Sequence, residues 1–180
     1  MDTTVPQDLE RRLRSAIASV PDFPKPGIMF RDVTPLLADV ELRQAMIDTV
    51  AKRYKHEHVT AVAGPEARGF IFGVMLADSL GVAFVPIRKP GKLPRAVYQQ
   101  RYELEYGSDE LQIHQDALGP DDRVVIFDDL LATGGTAEAA CRLIEKTGAT
   151  IVENVFVVEL PDLGGRARIA SQRVHPLVSY

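Results

Sequence analysis

The sequence predicts an α/β domain in which a mainly parallel central sheet is flanked by helices. Two observations carry this prediction. Apolar runs rich in β-branched residues, typical of buried strands, lie at 59–64, 82–87, 123–127 and 150–158. Helical patterns lie between them at 69–80 and 133–147, and such alternation is typical of parallel sheets. Because 180 residues with 46% hydrophobic content suit one sizeable core, we expect a single domain over 1–180.

The N-terminal part of the chain predicts two helices separated by a stiff loop. Between 8 and 20, apolar residues recur at spacings of three and four, which is the period of an amphipathic helix. Three prolines and a glycine within 21–27 exclude regular structure there. A second helix is predicted over 41–54.

A long segment after the second predicted strand has a different character. The residues 91–107 are polar and rich in tyrosine, and they show no clear period. Long irregular segments inside compact domains are usually functional, so we predict a lid over a site. Parallel sheets bind ligands beyond the carboxyl ends of their strands, so the site is expected after Val62, Ile87, Phe127 and Val158.

Composition narrows the class of partner. The net charge of −4 and the pI near 5.6 predict no general attraction to nucleic acid or to anionic membranes. The single cysteine, Cys141, excludes an internal disulfide framework. No apolar run approaches the roughly 20 residues that span a bilayer, and the N-terminus does not read as a secretory signal. We therefore expect a cytoplasmic protein that binds neither nucleic acid nor a membrane.

The strongest local pattern occupies 124–136, where an apolar strand leads into two aspartates and then into a Thr/Gly turn that opens a helix. Gly134 and Gly135 let the backbone close around a ligand, and the free N–H groups at the helix start favour a phosphate. Asp128 and Asp129 repel phosphate but suit sugar hydroxyls or a divalent cation. A phosphorylated sugar meets both demands, whereas the plainer alternative is an ordinary helix cap beside solvated acids.

This pattern resembles the phosphoribosyl pyrophosphate-binding motif of type I phosphoribosyltransferases. Five further segments are similar, in the same order, to those of the adenine phosphoribosyltransferase family. They are a base-binding segment at 21–35, a pyrophosphate loop at 66–70, a basic turn at 88–94, a catalytic lid at 102–107 and a late signature at 158–166. The resemblance covers nearly the whole chain.

The resemblance implies both a fold and a reaction. The fold has a small N-terminal base-binding hood, about 1–35, on a core of about 36–180 with a mobile catalytic lid near 93–112. The reaction transfers 5-phosphoribosyl from phosphoribosyl pyrophosphate to N9 of adenine, giving AMP and pyrophosphate in purine salvage. Family members are commonly homodimers and use Mg²⁺, which we expect to bind mainly through substrate oxygens.

The resemblance also assigns roles around the sugar. Asp128 and Asp129 would hold the ribose hydroxyls, while Arg68 and Lys92 would meet the pyrophosphate. The 5-phosphate would lie in the turn formed by Ala132, Thr133, Gly134, Gly135 and Thr136.

The base would be read by main-chain groups of Met29 and Arg31, because the family reads adenine in this way. Phe30 and Leu160 are candidates to pack near the base, and core packing is the alternative for both. A proline-bracketed loop suits this role because its backbone is already ordered.

The lid would supply the proton chemistry. Glu105 is the candidate for the proton-handling carboxylate, Glu103 is the alternative two residues away, and Tyr106 would help to close the lid. The family often has a cis peptide at the position of Glu66 and Ala67.

Two other functions are compatible with the same phosphate motif. One is transfer to hypoxanthine, guanine, xanthine or orotate, against which the base-binding segment at 21–35 argues. The other is a non-catalytic regulator that senses phosphoribosyl pyrophosphate and binds DNA. The acidic balance and the lack of spare length argue against a regulator.

Overall fold

The computed structural model of the chain describes residues 5–103 and 107–180. Its elements, in chain order, are α1 (Gln7–Ala16), β1 (Ala18–Pro21), β2 (Met29–Asp32), α2 (Thr34–Ala38), α3 (Val40–Arg53), β3 (Ala61–Pro65), α4 (Arg68–Leu80), β4 (Ala83–Ile87), β5 (Val97–Glu103), β6 (Ser108–His114), β7 (Arg123–Leu131), α5 (Gly135–Thr147), β8 (Thr150–Glu159), α6 (Gly165–Arg168) and β9 (Val174–Ser179). A short 3-10 turn, Pro161–Leu163, lies between β8 and α6.

A five-stranded sheet in the order β4-β3-β7-β8-β9 forms the centre of the molecule, and every pairing in it is parallel. Its strands are covered on both faces. Val125 and Phe127 pack into a core shared with α1, α3 and α4, whereas Val124 and Ile126 pack into a second core shared with α5. Alternate side chains of one strand point to opposite faces, so β7 contributes to both cores. The predicted fold class is therefore confirmed.

The helix predicted over 8–20 is wrong at its C-terminal end. The helix ends at Ala16, and Ile17 is already extended, with φ −74° and ψ 116°. The residues Ala18–Pro21 form a strand that pairs antiparallel with β2. The residue before a proline is disfavoured in the helical region, which helps Pro21 to redirect the chain. This β1–β2 hairpin, with its connecting turn at 22–28, is called the hood below.

The segment 91–107 was predicted to be irregular, and this is also wrong over 97–103. Strands β5 and β6 form an antiparallel hairpin in register from Val97 opposite His114 to Glu103 opposite Ser108. A period of two is present in Tyr98, Gln100 and Tyr102, which are half-buried and are separated by the exposed Gln99 and Arg101. The two tyrosines pack against the core that contains α5. The hairpin β5–β6 is called the lid below.

The remaining predicted elements agree with the structure to within a few residues. The helix predicted over 41–54 is α3, and the one predicted over 69–80 is α4. The strand predicted over 123–127 continues to Leu131, so both aspartates of the central motif lie within β7. Strand β9 and helix α2 were not predicted. Over the described residues, no helix is both long and apolar enough to cross a bilayer.

Candidate active site

A cavity of about 380 Å³ lies beyond the carboxyl ends of β3 and β7. This is the edge at which parallel sheets bind ligands. Its walls come from the loop after β3, the residues after β4, and the stretch from the end of β7 to the start of α5. The lining residues are Glu66, Ala67, Arg68, Lys89, Asp128, Asp129, Leu130, Leu131, Ala132, Thr133, Gly134, Gly135, Thr136 and Ala137.

The turn Ala132–Gly135, called the phosphate turn below, forms one end of this cavity. Gly134 has φ +83°, a conformation that residues with a side chain rarely adopt, and α5 begins at the next residue. The first N–H groups of a helix have no partner within the helix and carry the positive end of its dipole. The 13-residue helix α5 therefore presents an anion-binding end to the cavity.

Asp128 and Asp129 are neighbours on β7 with different surroundings. Asp128 is 8% exposed, and its Oδ1 accepts the backbone N–H of Asp129 at 2.8 Å. Burial, and next the charge of Asp129, raise the pKa of Asp128 well above its ordinary value. Asp129 instead forms an ion pair with the guanidinium of Arg68. The cavity thus holds one carboxyl group whose pKa is raised by burial and one that is paired with a cation.

Arg68 lies at the start of α4, directly after a cis peptide between Glu66 and Ala67. Burial opposes its charge, but the hydrogen bond and the charge of Asp129 outweigh this and raise its pKa. The start of α4 approaches β7 closely at Gly69, where an added Cβ would lie 2.9 Å from Asp128 Oδ1. Arg68 therefore places a positive charge next to Asp128 and Asp129. An anionic group of a ligand that binds in the cavity would be attracted to this charge.

Comparison with known proteins agrees with this geometry. A family model described as the phosphoribosyl transferase domain matches residues 34–172. The adenine phosphoribosyltransferase of Francisella tularensis subsp. novicida is 56% identical over 170 residues, which cover 93% of this chain and 97% of that protein. The chain belongs to the adenine phosphoribosyltransferase family.

Solved structures of this family share the fold. The enzyme from Thermoanaerobacter pseudethanolicus superposes with a TM-score of 0.91 at 45% identity, covering 95% of this chain and 99% of that one. The enzyme from Saccharomyces cerevisiae, solved with an imino-altritol bisphosphate and adenine, gives a TM-score of 0.91 at 39% identity, covering 96% and 99%.

All but one of the residues predicted around the sugar and the pyrophosphate line the cavity. These are Arg68, Asp128, Asp129, Ala132, Thr133, Gly134, Gly135 and Thr136. Lys92 is the exception, because it is exposed and lies outside the described cavity lining, with its carbonyl facing Arg88 Nη1 at 3.4 Å.

Lys89, for which no role was predicted from the basic turn 88–94, lines the cavity instead of Lys92. Its Nζ forms an ion pair with Asp109 of β6 at 2.8 Å, and this hydrogen bond raises the pKa of Lys89. The signal was present, because Lys89 comes two residues after the end of β4, where ligand contacts are expected.

The hood residues lie beside the cavity rather than in its described lining. Phe30 brings the hood closest, since its ring centre is 5.9 Å from the guanidinium carbon of Arg68. The guanidinium of Arg31 points elsewhere and stacks on the ring of Tyr180 at 3.9 Å. Met29 is 47% exposed. Leu160 packs against the core and donates its N–H to the carbonyl of Leu131 at 2.9 Å.

The lid lies over the phosphate turn. A Cβ added to Gly135 would lie 3.0 Å from the ring of Tyr102 and 3.1 Å from the carbonyl oxygen of Glu103. The hydroxyl of Tyr102 also interacts with Thr136 and with Asp109. Sequence reasoning missed Tyr102, although the period of two in β5 could have indicated it. The predicted residues Glu105 and Tyr106 lie outside the described residues.

Proposed function

We propose that this chain transfers the 5-phosphoribosyl group of phosphoribosyl pyrophosphate to N9 of adenine, with release of pyrophosphate and formation of AMP in purine salvage. One observation carries the proposal. An anion-binding turn, two adjacent carboxyl groups and an arginine line a single cavity, in a chain that is 56% identical to an adenine phosphoribosyltransferase.

The phosphate turn and the aspartates divide the sugar phosphate between them. The 5-phosphate accepts hydrogen bonds from the N–H groups at the start of α5 and from the hydroxyls of Thr133 and Thr136. The ribose hydroxyls bind Asp128 and Asp129, since a carboxyl group accepts hydrogen bonds from hydroxyl groups. Both groups line the same cavity, which supports their binding to one ligand.

Arg68 stabilises the leaving pyrophosphate. As the glycosidic bond breaks, positive charge develops on the ribose and negative charge on the pyrophosphate. A cation fixed near the developing negative charge is usually among the largest contributions to catalysis. Arg68 and Lys89 both line the cavity, and Lys92 remains a candidate from the basic turn.

Adenine binds against the hood. The main chain of Met29 and Arg31 reads the amino group and N1, with Phe30 and Leu160 beside the base. The contact between Phe30 and Arg68 supports a base site next to the pyrophosphate end of the cavity. Glu105 of the lid takes the proton released at the base, and such proton transfer contributes about 10²–10⁴-fold.

Mg²⁺ enters with the diphosphate. Across residues 5–103 and 107–180, no group of three or more His, Cys, Asp or Glu side chains could hold a metal ion. Asp128 and Asp129 nevertheless fit a magnesium ion that takes most of its ligands from substrate oxygens and water, because Mg²⁺ usually needs only one or two protein carboxylates. When bound, the ion supplies positive charge at the leaving group.

A homodimer in the cytoplasm is part of the same proposal. Ile71 and Val74 lie one turn apart on α4 and are 41% and 49% exposed, which supports a contact surface on that helix. The solution mass, measured by light scattering, tests the dimer directly.

The test of the function is AMP formation from adenine, phosphoribosyl pyrophosphate and Mg²⁺, run beside hypoxanthine, guanine and orotate. We expect turnover with adenine alone. Polar mismatch at a hydrogen-bonding site discriminates by about 10⁴-fold or more, so the other bases should be inactive in the same assay.

Other outcomes would change the proposal in defined ways. Turnover with another base would keep the sugar phosphate site and discard the role of the hood in choosing adenine. Tight binding of phosphoribosyl pyrophosphate without turnover of any base would indicate a sensor instead of an enzyme.

A further inference from the structure

The loop that follows β8 packs beneath the phosphate turn at backbone distance. A Cβ added to Gly165 would lie 2.2 Å from the carbonyl oxygen of Ala132 and 2.9 Å from the backbone nitrogen of Gly134. A Cβ added to Gly134 would lie 2.5 Å from the carbonyl oxygen of Gly165. The two backbones are in direct contact, with no room for another atom between them. A displacement of the loop would therefore also displace the backbone of the phosphate turn.

The middle of this loop is not fixed by burial, although Leu160 and Gly165 at its two ends are packed against the core and the turn. The residues 161–164 are all exposed, and the loop holds itself through short backbone bonds such as Gly164 N–H to the Pro161 carbonyl at 2.9 Å. An exposed segment of this kind needs a separate restraint if it is to keep one conformation.

An ion pair supplies that restraint by joining the two ends of the loop. Arg166 donates from Nε to Glu159 Oε1 at 2.9 Å and from Nη2 to Glu159 Oε2 at 2.7 Å. Such two-point contacts fix geometry as well as distance. The side chain of Glu159 is only 6% exposed, so it depends on this partner for compensation of its charge.

We propose that Arg166 is a positioning residue for the 5-phosphate: through Glu159 it closes the loop 160–165 and so sets the backbone of the phosphate turn. This inference rests on the proposed function, because it needs the turn to bind the phosphate. Arg166 lies outside the described lining of the cavity, so it acts through Gly165 rather than on the ligand.

The same strand provides a matched control. Glu153 of β8 has a side chain 2% exposed and is bound at both oxygens by Arg53, so it forms a second buried pair of the same type. This pair joins α3 to β8, and its other described partners are Tyr54 and Arg173. Loss of Arg53 therefore costs a similar interaction without touching the phosphate turn.

The experiment compares Arg166→Ala, Arg166→Lys and Arg53→Ala with the wild-type protein. AMP binding is measured by calorimetry, and KM is measured for phosphoribosyl pyrophosphate and for adenine. We expect both alanine variants to melt at a lower temperature. In Arg166→Ala alone, AMP should bind about tenfold more weakly and KM for phosphoribosyl pyrophosphate should rise by a similar factor, because small misplacements of binding groups have effects of this size. KM for adenine should stay within about twofold.

Arg166→Lys should recover part of the loss, since lysine keeps the charge but not the two-point contact. If Arg166→Ala does not fold, Glu159→Gln tests the same pair and should weaken AMP binding in the same way. AMP affinity within about twofold of wild type in the Arg166 variants, or equal weakening in Arg53→Ala, would overturn the inference. A wild-type protein that neither binds AMP nor turns over adenine would instead refute the proposed function, before any variant is compared.

Discussion

The two ends of the site are built differently. At the end that we propose binds the phosphate, called the phosphate end below, the turn packs against the loop after β8, backbone to backbone, and two glycines allow this close contact. At the end that we propose binds adenine, called the base end below, the hood is a hairpin of two four-residue strands, with Phe23 51% exposed and Met29 47% exposed. Arg31 contacts Ser19 within this hairpin and stacks on the ring of Tyr180 outside it.

This difference predicts that the two ends contribute differently to ligand binding. A turn made from the first N–H groups of a long helix cannot easily move without disturbing the core beneath it. The hood packs mainly against itself and exposes Phe23 and Met29, so a change there disturbs less of the core. We therefore expect changes at the phosphate end to alter sugar phosphate binding strongly, and changes at the base end to alter adenine binding more mildly.

A lid variant provides a reference that belongs to neither end. Glu105→Ala should lower kcat by about 10² or more, with binding of phosphoribosyl pyrophosphate largely kept, because a proton-handling group acts in the transition state. Steady-state kinetics beside Glu103→Ala checks this, since the Glu103 variant should keep most of its kcat. A near-normal kcat in Glu105→Ala would remove Glu105 from the role.

At the phosphate end, Gly165→Ala should lower kcat/KM for phosphoribosyl pyrophosphate by about 10², because the added Cβ must displace the carbonyl of Ala132. Gly119→Ala is the matched control, as no atom lies within 4 Å of a Cβ added there. If both variants behaved alike in the kinetic assay, the close packing under the turn would not matter for binding.

The aspartates test whether the phosphate end sacrifices stability for function. The pKa of Asp128 is raised in the folded protein, so folding takes up a proton and stability falls as pH rises from about 4 through the folded-state pKa. Asp128→Asn removes this penalty and keeps the Oδ1 that accepts the N–H of Asp129. The variant should therefore melt at a higher temperature than wild type at neutral pH, with the gap narrowing toward pH 4, while turnover falls by about tenfold. Thermal melts of the variant and of the wild-type protein across this pH range test the prediction. A variant that melts at a lower temperature than wild type at pH 7 would contradict it.

The smallest effect is expected at the base end. Tyr180→Ala removes the ring on which Arg31 stacks, and such contacts contribute about 0.5–1 kcal/mol when exposed, so KM for adenine should rise about threefold to fivefold. Tyr180→Phe keeps the ring and should stay within about twofold, because the hydroxyl makes only a 3.4 Å contact with the Arg14 carbonyl. A larger rise in KM for phosphoribosyl pyrophosphate than for adenine would break the proposed division between the ends.

The predicted residues that line the cavity lie within two short continuous segments, 66–70 and 124–136. The aspartates and the phosphate turn were predictable because strand, acids, glycines and helix follow one another within 124–136. The support from Gly165 was not, since it comes from a contact between segments about thirty residues apart. Lys89 was missed for a different reason, because the basic turn 88–94 contains two lysines and the resemblance assigned the contact to Lys92.

The fold shows the same limit. Long apolar strands and amphipathic helices were predicted correctly, whereas the hood and the lid are short or half-exposed hairpins whose strands depend on pairing. Strand β9 contains Pro176 and follows a polar stretch, so its local pattern is weak, and its place at the sheet edge comes from pairing with β8. Pairing between distant segments leaves little trace in a local pattern.

In the ion pair between Arg68 and Asp129, the carboxylate of Asp129 occupies the place of a ligand's anionic group at Arg68. The guanidinium of Arg68 likewise occupies the place of a ligand's hydroxyl groups at Asp129. If a free anion bound Arg68, Asp129 would lose its cationic partner. If a free sugar bound Asp129, Arg68 would lose its anionic partner. A molecule that carries an anionic group and vicinal hydroxyls satisfies both residues in one event. We therefore expect the cavity to bind a molecule that carries both features more tightly than a simple anion or a sugar alone.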